Sequence, residues 1–160
     1  MKEILLVDDE QEMLNSLKKL FNHKPEYKIR AINNPKEAIN LVGSNKFDMI
    51  ITDLKMGSYT GLDVLHNAFK KFPNTLGIVI SGYGTIEASV EAIKEGAFDF
   101  IEKPFTSRKL FDTIEKAFSQ SFNKDEKESA LNEEALQGII YKSDSMKGII
   151  DLVKKLPTAI

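Results

Sequence analysis

Short apolar runs alternate with amphipathic helical patterns over the first 120 residues of the chain. The run Ile4-Leu5-Leu6-Val7 is too short for a helix and ends in two acids, after which apolar residues recur at spacings of three and four. This succession occurs five times, with strands predicted at 4–7, 27–32, 49–53, 76–80 and 98–101. Most of these runs are apolar throughout, which indicates burial on both faces. The pattern therefore predicts an α/β fold in which helices cover both sides of a parallel sheet.

Composition and charge exclude several classes of protein. The chain has 160 residues, of which 42% are hydrophobic, enough for one domain with an appendage. Lys and Arg number 22 and Asp and Glu number 24, so the basic excess of a nucleic-acid binder is absent. There is no cysteine for disulfides or thiolate chemistry, and no apolar run fits a membrane span or a signal peptide. We therefore expect a cytoplasmic protein that contacts no membrane.

The composition changes after residue 120. Residues 123–128 contain no apolar side chain, so we predict that 121–136 forms a linker, helical where it continues the fifth helix. A new apolar pattern begins in the last segment, 137–160, which is too short to form a core of its own. This segment is expected to be the opening of a further domain.

Four of the five predicted strands end in residues with polar chemistry. Asp8 and Asp9 follow the first strand, Asp53 ends the third, Ser81 follows the fourth and Lys103 follows the fifth. Ligands of parallel sheets bind at the carboxyl ends of the strands, so we expect these side chains at one edge. Clustered carboxylates repel one another unless a cation joins them, and Mg²⁺ prefers such oxygen ligands. The strand ends therefore predict a magnesium site.

Each of these residues also has a simpler explanation when taken alone. Asp8 or Asp9 could cap the following helix, Ser81 could be a loop serine, and Lys103 could be a solvated lysine. Their joint placement at four strand ends favours phosphoryl chemistry instead. Asp53 would be the nucleophile, Lys103 would neutralise negative charge, and Ser81 would donate a hydrogen bond to a phosphoryl oxygen.

Four motifs at these strand ends give residues 1–120 a resemblance to the receiver domain of two-component response regulators. The motifs are Val7-Asp8-Asp9-Glu10, Thr52-Asp53-Leu54-Lys55-Met56 with Gly61, Ile80-Ser81-Gly82-Tyr83-Gly84 and Phe98-Asp99-Phe100-Ile101-Glu102-Lys103-Pro104-Phe105. The resemblance implies a (βα)5 doubly wound parallel sheet of flavodoxin/CheY-like type, with strand order 2-1-3-4-5 and a C-terminal helical extension. It also implies a regulatory phosphoacceptor that receives its phosphoryl group from a sensor histidine kinase, not a conventional enzyme.

The resemblance also implies a role for each site residue. Asp53 is the phosphoacceptor, and Lys103 contacts the phosphoryl group. Mg²⁺ is held by Asp9, Asp53 and the backbone carbonyl of Lys55, while Asp8 acts partly through water. Apart from this ion no cofactor is implied, and the domain catalyses only its own phosphorylation and dephosphorylation.

The switch is implied in the same way, with two departures from the family pattern. Ser81 is expected to move toward the phosphoryl group and Phe100 to turn inward behind it, which changes the face formed by the fourth helix, fifth strand and fifth helix. Gly57 stands where the family usually has proline, so we expect a looser loop beside Asp53. Phe100 lacks the tyrosine hydroxyl of many receivers, so its signal would be steric. The Lys103-Pro104 bond is expected to be cis.

Two longer segments are similar to NtrC-like activators that depend on sigma-54. They are residues 84–105, within the receiver, and residues 138–158, which resemble the start of an AAA+ domain. The resemblance divides the chain into a receiver (1–120), a linker (121–136) and an AAA+ fragment (137–160). It implies a homodimer formed through the fourth and fifth helices and the linker helix. DNA and sigma-54 RNA polymerase would be contacted only by domains outside these 160 residues.

Two alternatives belong to other functional classes. An aspartyl-phosphate hydrolase of the haloacid dehalogenase type would place an Asp-x-Asp motif after its first strand, whereas Asp53-Leu54-Lys55 follows the third strand here. A receiver-fold module that works through binding alone, without phosphorylation, is the other alternative. Metal-dependent uptake of phosphate at Asp53 distinguishes this module from a phosphorylated switch.

Overall fold

The computed structural model describes residues 1–122, which form a five-stranded parallel sheet, a small hairpin and five helices. The predicted AAA+ fragment and all but the first two residues of the predicted linker lie outside the described residues. The strands are β1 (Lys2–Val7), β2 (Tyr27–Ile32), β3 (Met49–Asp53), β4 (Lys55–Met56), β5 (Tyr59–Thr60), β6 (Leu76–Ser81) and β7 (Asp99–Glu102). The helices are α1 (Gln11–Phe21), α2 (Pro35–Val42), α3 (Gly61–Lys71), α4 (Ile86–Lys94) and α5 (107–122).

The main sheet has the strand order β2-β1-β3-β6-β7, and every neighbouring pair is parallel. The predicted fourth and fifth strands are β6 and β7, so the predicted order 2-1-3-4-5 is confirmed. The chain has the flavodoxin/CheY-like α/β fold. The order reverses direction at β1, and this places the carboxyl ends of β1 and β3 beside each other at the centre of the sheet.

The core explains why the strands are apolar at nearly every position. One hydrophobic cluster combines alternate strand residues such as Leu5, Ile50 and Val79 with side chains of α2, α3 and α4. The residues between them, including Leu6 and Ile51, project to the opposite face and are also fully buried. Burial of apolar surface stabilises a fold by about 25 cal/mol per Å². In a sheet that is covered on both faces, this burial is the main stabilising contribution.

Polar caps define where several helices begin. The Asn34 side chain accepts hydrogen bonds from the first turn of α2, and Thr85 caps α4 in the same way. Thr60 and Asp63 form a reciprocal capping box at the start of α3. Such caps supply partners for backbone N–H groups that the helix leaves unpaired.

The fifth helix passes the predicted domain boundary at residue 120. Residues Met1–Ala117 form one compact unit, while α5 continues to residue 122. The expectation that this helix extends beyond Gln120 is therefore met within the described residues. Among residues 1–122, every helix is too short or too polar to cross a membrane.

The segment after Asp53 forms a hairpin in which β4 and β5 pair antiparallel, with Lys55 opposite Thr60 and Met56 opposite Tyr59. Gly57 begins the two-residue turn with a φ of +64°. Proline has a φ fixed near −65° and cannot adopt this conformation, which accounts for the missing proline. In this structure the glycine closes a two-residue turn and Met56 is fully buried, while the expected looser loop stays a prediction.

Gly57 provides a test of this hairpin. Gly57→Ala should lower the free energy of unfolding by about 1 kcal/mol, because a Cβ is unfavourable at positive φ although nothing else occupies the space around it. Gly57→Pro should cost more, since the turn must reorganise. Gly82→Ala is the matched control, because Gly82 has open space and no positive φ. Urea unfolding of the variants measures these differences, and equal stability of Gly57→Pro and wild type would refute the assignment.

Candidate functional site

The sheet order brings four predicted site residues to one edge. Asp8 follows β1, Asp53 is the last residue of β3, Ser81 is the last residue of β6, and Lys103 directly follows β7. These strands are consecutive neighbours in the sheet, so their carboxyl ends form a continuous row. Gly61 completes the local packing, because a Cβ there would collide with the Asp53 carbonyl and the Thr52 side chain.

Lys103 connects the row through its side chain and its backbone. Its Nζ lies 3.3 Å from Oδ1 of Asp53 and 3.5 Å from Oδ2 of Asp8. Its backbone N–H donates to the carbonyl of Ser81 over 2.8 Å. The Lys103-Pro104 peptide bond is cis, as expected from the sequence. The ammonium is therefore held between two carboxylates from different strands.

Three carboxylates cluster at this point, and two of them, Asp8 and Asp53, are paired with the ammonium. Oxygen atoms of Asp8, Asp9 and Asp53 all lie within 4.8 Å of one another. Asp8 is buried, Asp53 is half-buried and Asp9 is exposed. Lys103 is the one cation paired with this group among the described residues, so the local charge stays negative.

Burial and the clustered charge together shift the pKa values of the site. The pKa of Asp8 is raised to about 6, mainly by burial and in smaller part by the Asp53 charge, against a hydrogen bond from the Glu10 N–H and the attraction of Lys103. Burial also raises the pKa of Asp53, opposed mainly by Lys103. Burial alone would lower the pKa of Lys103, but the attraction of Asp53 and Asp8 outweighs it and raises the pKa.

The donor set fits a hard divalent cation. Carboxylate oxygens are the ligands that Mg²⁺ prefers, and a second positive charge would relieve the repulsion that burial intensifies. Lys55, whose carbonyl is the fourth predicted ligand, lies two residues after Asp53 at the start of β4. The backbone of Lys55 therefore lies close to Asp53 along the chain.

The two predicted switch residues lie on adjacent strands. Ser81 is fully buried at the end of β6, and its Oγ accepts a hydrogen bond of 2.9 Å from the backbone N–H of Tyr83. Phe100, in β7, is half-buried and packs against the main hydrophobic cluster. Val79 of β6 is the register partner of Phe100.

Two features of the site were not predicted from the sequence. One is the hairpin, although a Gly-Ser pair between residues that favour strands is a known signal for a two-residue turn. The other is a contact between Lys55 and Tyr83, in which Nζ lies 4.6 Å from the centre of the ring. Nothing in the local sequence pattern indicates this second contact, since it joins loops that are 28 residues apart.

The raised pKa of Asp8 predicts a stabilising substitution. Asp8→Asn should raise the free energy of unfolding of the metal-free protein by about 3 kcal/mol at pH 7.5, because it removes a charge that burial disfavours. The folded pKa of about 6 lies above the ordinary value of 3.8, so ionisation destabilises the fold as pH rises through this interval. The advantage of Asp8→Asn should therefore be absent below about pH 4 and complete above pH 6.

Urea unfolding with a chelator at pH 4 and pH 7.5 measures this difference. Asp112→Asn, an exposed substitution in α5, is the matched control and should leave stability unchanged at both pH values. An equal gain for Asp8→Asn at both pH values would show that its effect does not arise from ionisation.

Comparison with known proteins gives a family and several relatives. The family model for the response regulator receiver domain matches residues 4–115. A putative NtrX-like response regulator from Rickettsia bellii is 33% identical over 117 residues, which cover 72% of this chain and 24% of the relative. The transcriptional regulatory protein ZraR from Escherichia coli is 27% identical over 148 residues, 92% of this chain and 33% of the relative. The chain thus spans about a quarter to a third of the curated relatives it matches.

A solved structure shows the same domain. The solution structure of the beryllofluoride-activated NtrC4 receiver domain dimer matches with a TM-score of 0.69 and 31% identity, covering 76% of this chain and 99% of that one. The assignment to response regulators related to the NtrC type is confirmed by these relatives. The family model covers most of the chain, and the flavodoxin/CheY-like strand order accords with it. The chain belongs to the response regulator receiver domain family.

Proposed function

We propose that the chain is a phosphorelay switch in which Asp53 accepts a phosphoryl group from a sensor histidine kinase. The observation that supports this most directly is the position of the Lys103 ammonium, 3.3 Å from Asp53 and 3.5 Å from Asp8, beside a third carboxylate. A structural ion pair needs one acid for one base. Two acids around a half-buried lysine, with a third acid close to both of them, form an arrangement that stabilises the fold poorly and suits a charged ligand.

The proposed reaction is an in-line displacement. A carboxylate oxygen of Asp53 attacks phosphorus, the bond from phosphorus to the donor's imidazole nitrogen breaks, and that nitrogen keeps the electron pair. Lys103, already aimed at Asp53, would stabilise negative charge on the phosphoryl oxygens. Ser81 would donate its hydroxyl hydrogen to one of those oxygens. The domain would catalyse only this transfer and the later hydrolysis.

The proposal includes Mg²⁺ as the cofactor. Asp9, Asp53 and the Lys55 carbonyl would hold the ion directly, and Asp8 would act partly through water. When bound, the ion would neutralise charge on the phosphoryl oxygens during transfer. Among residues 1–122, one ammonium is paired with this group of three carboxylates, which supports a requirement for the added charge.

The output surface of the proposed switch is α4. Ile86, Val90 and Ile93 are 80%, 45% and 48% exposed and lie on one face of this helix by their spacing of four and three residues. Ala92, on the opposite side, is buried against the core. An exposed apolar face of this kind supports an interaction surface. We propose that phosphorylation, acting through Ser81 and Phe100, changes how this face and α5 pair two copies of the chain.

The rest of the proposal concerns the parent protein. The alignment with ZraR covers 92% of the chain and so has to extend well beyond residue 115, where the receiver match ends. This supports the assignment of 121–136 to a linker and of 137–160 to the start of an AAA+ domain. In the proposed activator, phosphorylation would control assembly of that domain, and other domains would contact DNA and sigma-54 RNA polymerase. A cytoplasmic location accords with this role.

Phosphorylation can be tested by intact mass after treatment with acetyl phosphate and Mg²⁺. Wild type should gain one phosphoryl group, and chelation of the metal should prevent the gain because the carboxylates then lack their neutralising charge. Asp53→Asn should gain nothing, whereas Asp112→Asn, which changes an exposed acid elsewhere, should behave as wild type. Failure of folded wild-type protein to gain mass would instead favour the module that works through binding alone.

The α4 face can be tested by light scattering of the phosphorylated chain. Ile86→Ser combined with Ile93→Ser should reduce the phosphorylation-dependent change in oligomeric state, because it removes exposed apolar area that pairing would bury. Glu91→Ser, another exposed substitution on the same helix, is the control. An unchanged response in the double variant would exclude this face as the pairing surface.

A further inference from the structure

A cavity lined by basic side chains lies beside β2, away from the proposed phosphorylation site. Its volume is about 180 Å³, and its lining residues are Glu3, Lys28, Arg30, Asn45, Lys46 and Phe47. Glu3 precedes Asp8 by five residues on the first strand. At about 3.3 Å per residue, this places the cavity roughly 16 Å from the carboxyl edge of the sheet. The cavity is therefore distinct from the site at Asp53.

The short second helix accounts for the presence of this cavity. Lys28 and Arg30 lie two residues apart in β2, so their side chains project to the same face of the sheet. Their register partners in β1 are Glu3 and Leu5, and Leu5 belongs to the cluster that packs against α2. The eight residues of α2 extend about 12 Å, whereas β2 spans about 20 Å. The helix is thus too short to cover the whole strand, and the cavity lies between β2 and the loop that follows α2.

The lining of the cavity carries an excess of positive charge. Three of its side chains are cations and one is an acid, whereas the chain as a whole has a net charge of −2. The acid, Glu3, is paired with Lys28, whose Nζ lies 3.2 Å from its Oε2. The side chains of Arg30 and Lys46 form no ion pair or hydrogen bond within residues 1–122. An unpaired guanidinium and an unpaired ammonium beside one cavity favour an anionic ligand.

The loop that follows α2 adds backbone donors to the same lining. The N–H groups of Lys46 and Phe47 have no acceptor in the part of the chain that the structure describes. The N–H groups of Asn45 and Asp48, on either side of them, are both paired with backbone carbonyls. Successive N–H groups that are left unpaired can bind an anion. The cavity therefore combines side-chain and backbone donors that lack acceptors.

We propose that this cavity binds the phosphate group of a small anion, which is either inorganic phosphate or a short phosphate monoester. The guanidinium of Arg30 would form two parallel N–H···O bonds with the phosphate oxygens, and Lys46 would supply a point charge. Three cations and one acid leave an excess of two positive charges, which matches the charge of about −2 on such a group. Binding at this cavity requires neither a metal nor phosphorylation of Asp53.

The volume of the cavity limits the size of the ligand. A cavity of about 180 Å³ has the liquid volume of about six water molecules. Pockets that hold drug-sized ligands start at about 300 Å³. The cavity therefore suits one phosphate group with at most a short carbon chain.

NMR titration of the unphosphorylated 160-residue chain with inorganic phosphate, in the presence of a chelator, tests the proposal. The amide signals of residues 28–30 and 45–47 should shift and reach saturation, and chloride at equal ionic strength should not reproduce these shifts. Signals around Asp53 should stay constant, because without a metal the clustered carboxylates repel phosphate. A parallel titration with glycerol 3-phosphate distinguishes the two ligands by which of them binds more tightly. Absence of saturable shifts with both would overturn the proposal.

A double variant identifies the residues that bind the anion. Arg30→Gln combined with Lys46→Gln should weaken phosphate binding about tenfold or more, because it removes two charged donors. Lys71→Gln combined with Lys116→Gln is the matched control, since it changes the net charge equally at exposed positions in α3 and α5. This control should bind phosphate as wild type does. Equal weakening in both double variants would show that only the net charge of the chain matters, and the proposal would be wrong.

Glu3→Gln tests the sign of the electrostatic effect. It removes the acid from the lining and frees Lys28, so phosphate binding should become about two- to fivefold tighter. Weaker binding in this variant would contradict an anion site at the cavity. Urea unfolding of each variant confirms that affinities are compared on folded protein.

Discussion

One lysine shared by two carboxylates is the interaction on which the arrangement of this site depends. Lys103 contacts Asp53 and Asp8 from neighbouring parts of the sheet edge, and burial makes each of these charges costly when it is unpaired. Replacement of a buried charged group by well-packed apolar residues of similar volume is often neutral or stabilising. Its presence therefore indicates a requirement imposed by charge chemistry rather than by packing. The remaining negative charge makes the edge receptive to a cation.

The sheet provides the stability that such a site needs. Its central strands are buried on both faces, so apolar burial holds the strand ends in register while their polar residues remain together. The position of the site follows from the same topology, because consecutive parallel strands direct all their carboxyl ends to one edge. The core and the charged edge are thus two consequences of a single strand order.

The loops at the carboxyl edge of the sheet contain a departure from the family pattern, the glycine at position 57. Gly57 closes a hairpin that a proline could not form, and this places Lys55 beside Tyr83. The contact lies between the segment that follows Asp53 and the segment that follows Ser81.

The sequence by itself determined the five βα units, the order of the four motifs and the residue types at the strand ends. These features are local: apolar runs specify strands buried on both faces, and an acid, serine or lysine directly after a strand has to lie at its carboxyl end. The side chains of Asp8, Asp9, Asp53 and Lys103 accordingly lie close together in the structure. Their chemical roles remain proposals, because side-chain contacts alone do not demonstrate a reaction.

Only the tertiary structure decided the features that depend on distance between loops. Two of them are contacts between residues far apart in the chain: Lys103 is shared by Asp8 and Asp53, and Lys55 contacts Tyr83. A third is the raised pKa of Asp8, which depends on how the surrounding chain buries this residue. The β4–β5 hairpin has a weak local signal in Gly57-Ser58. The expectation of a looser loop came instead from the glycine that replaces the family's usual proline. A pattern along the chain specifies which element a residue belongs to. It does not specify the few ångströms between side chains on which electrostatic energies depend.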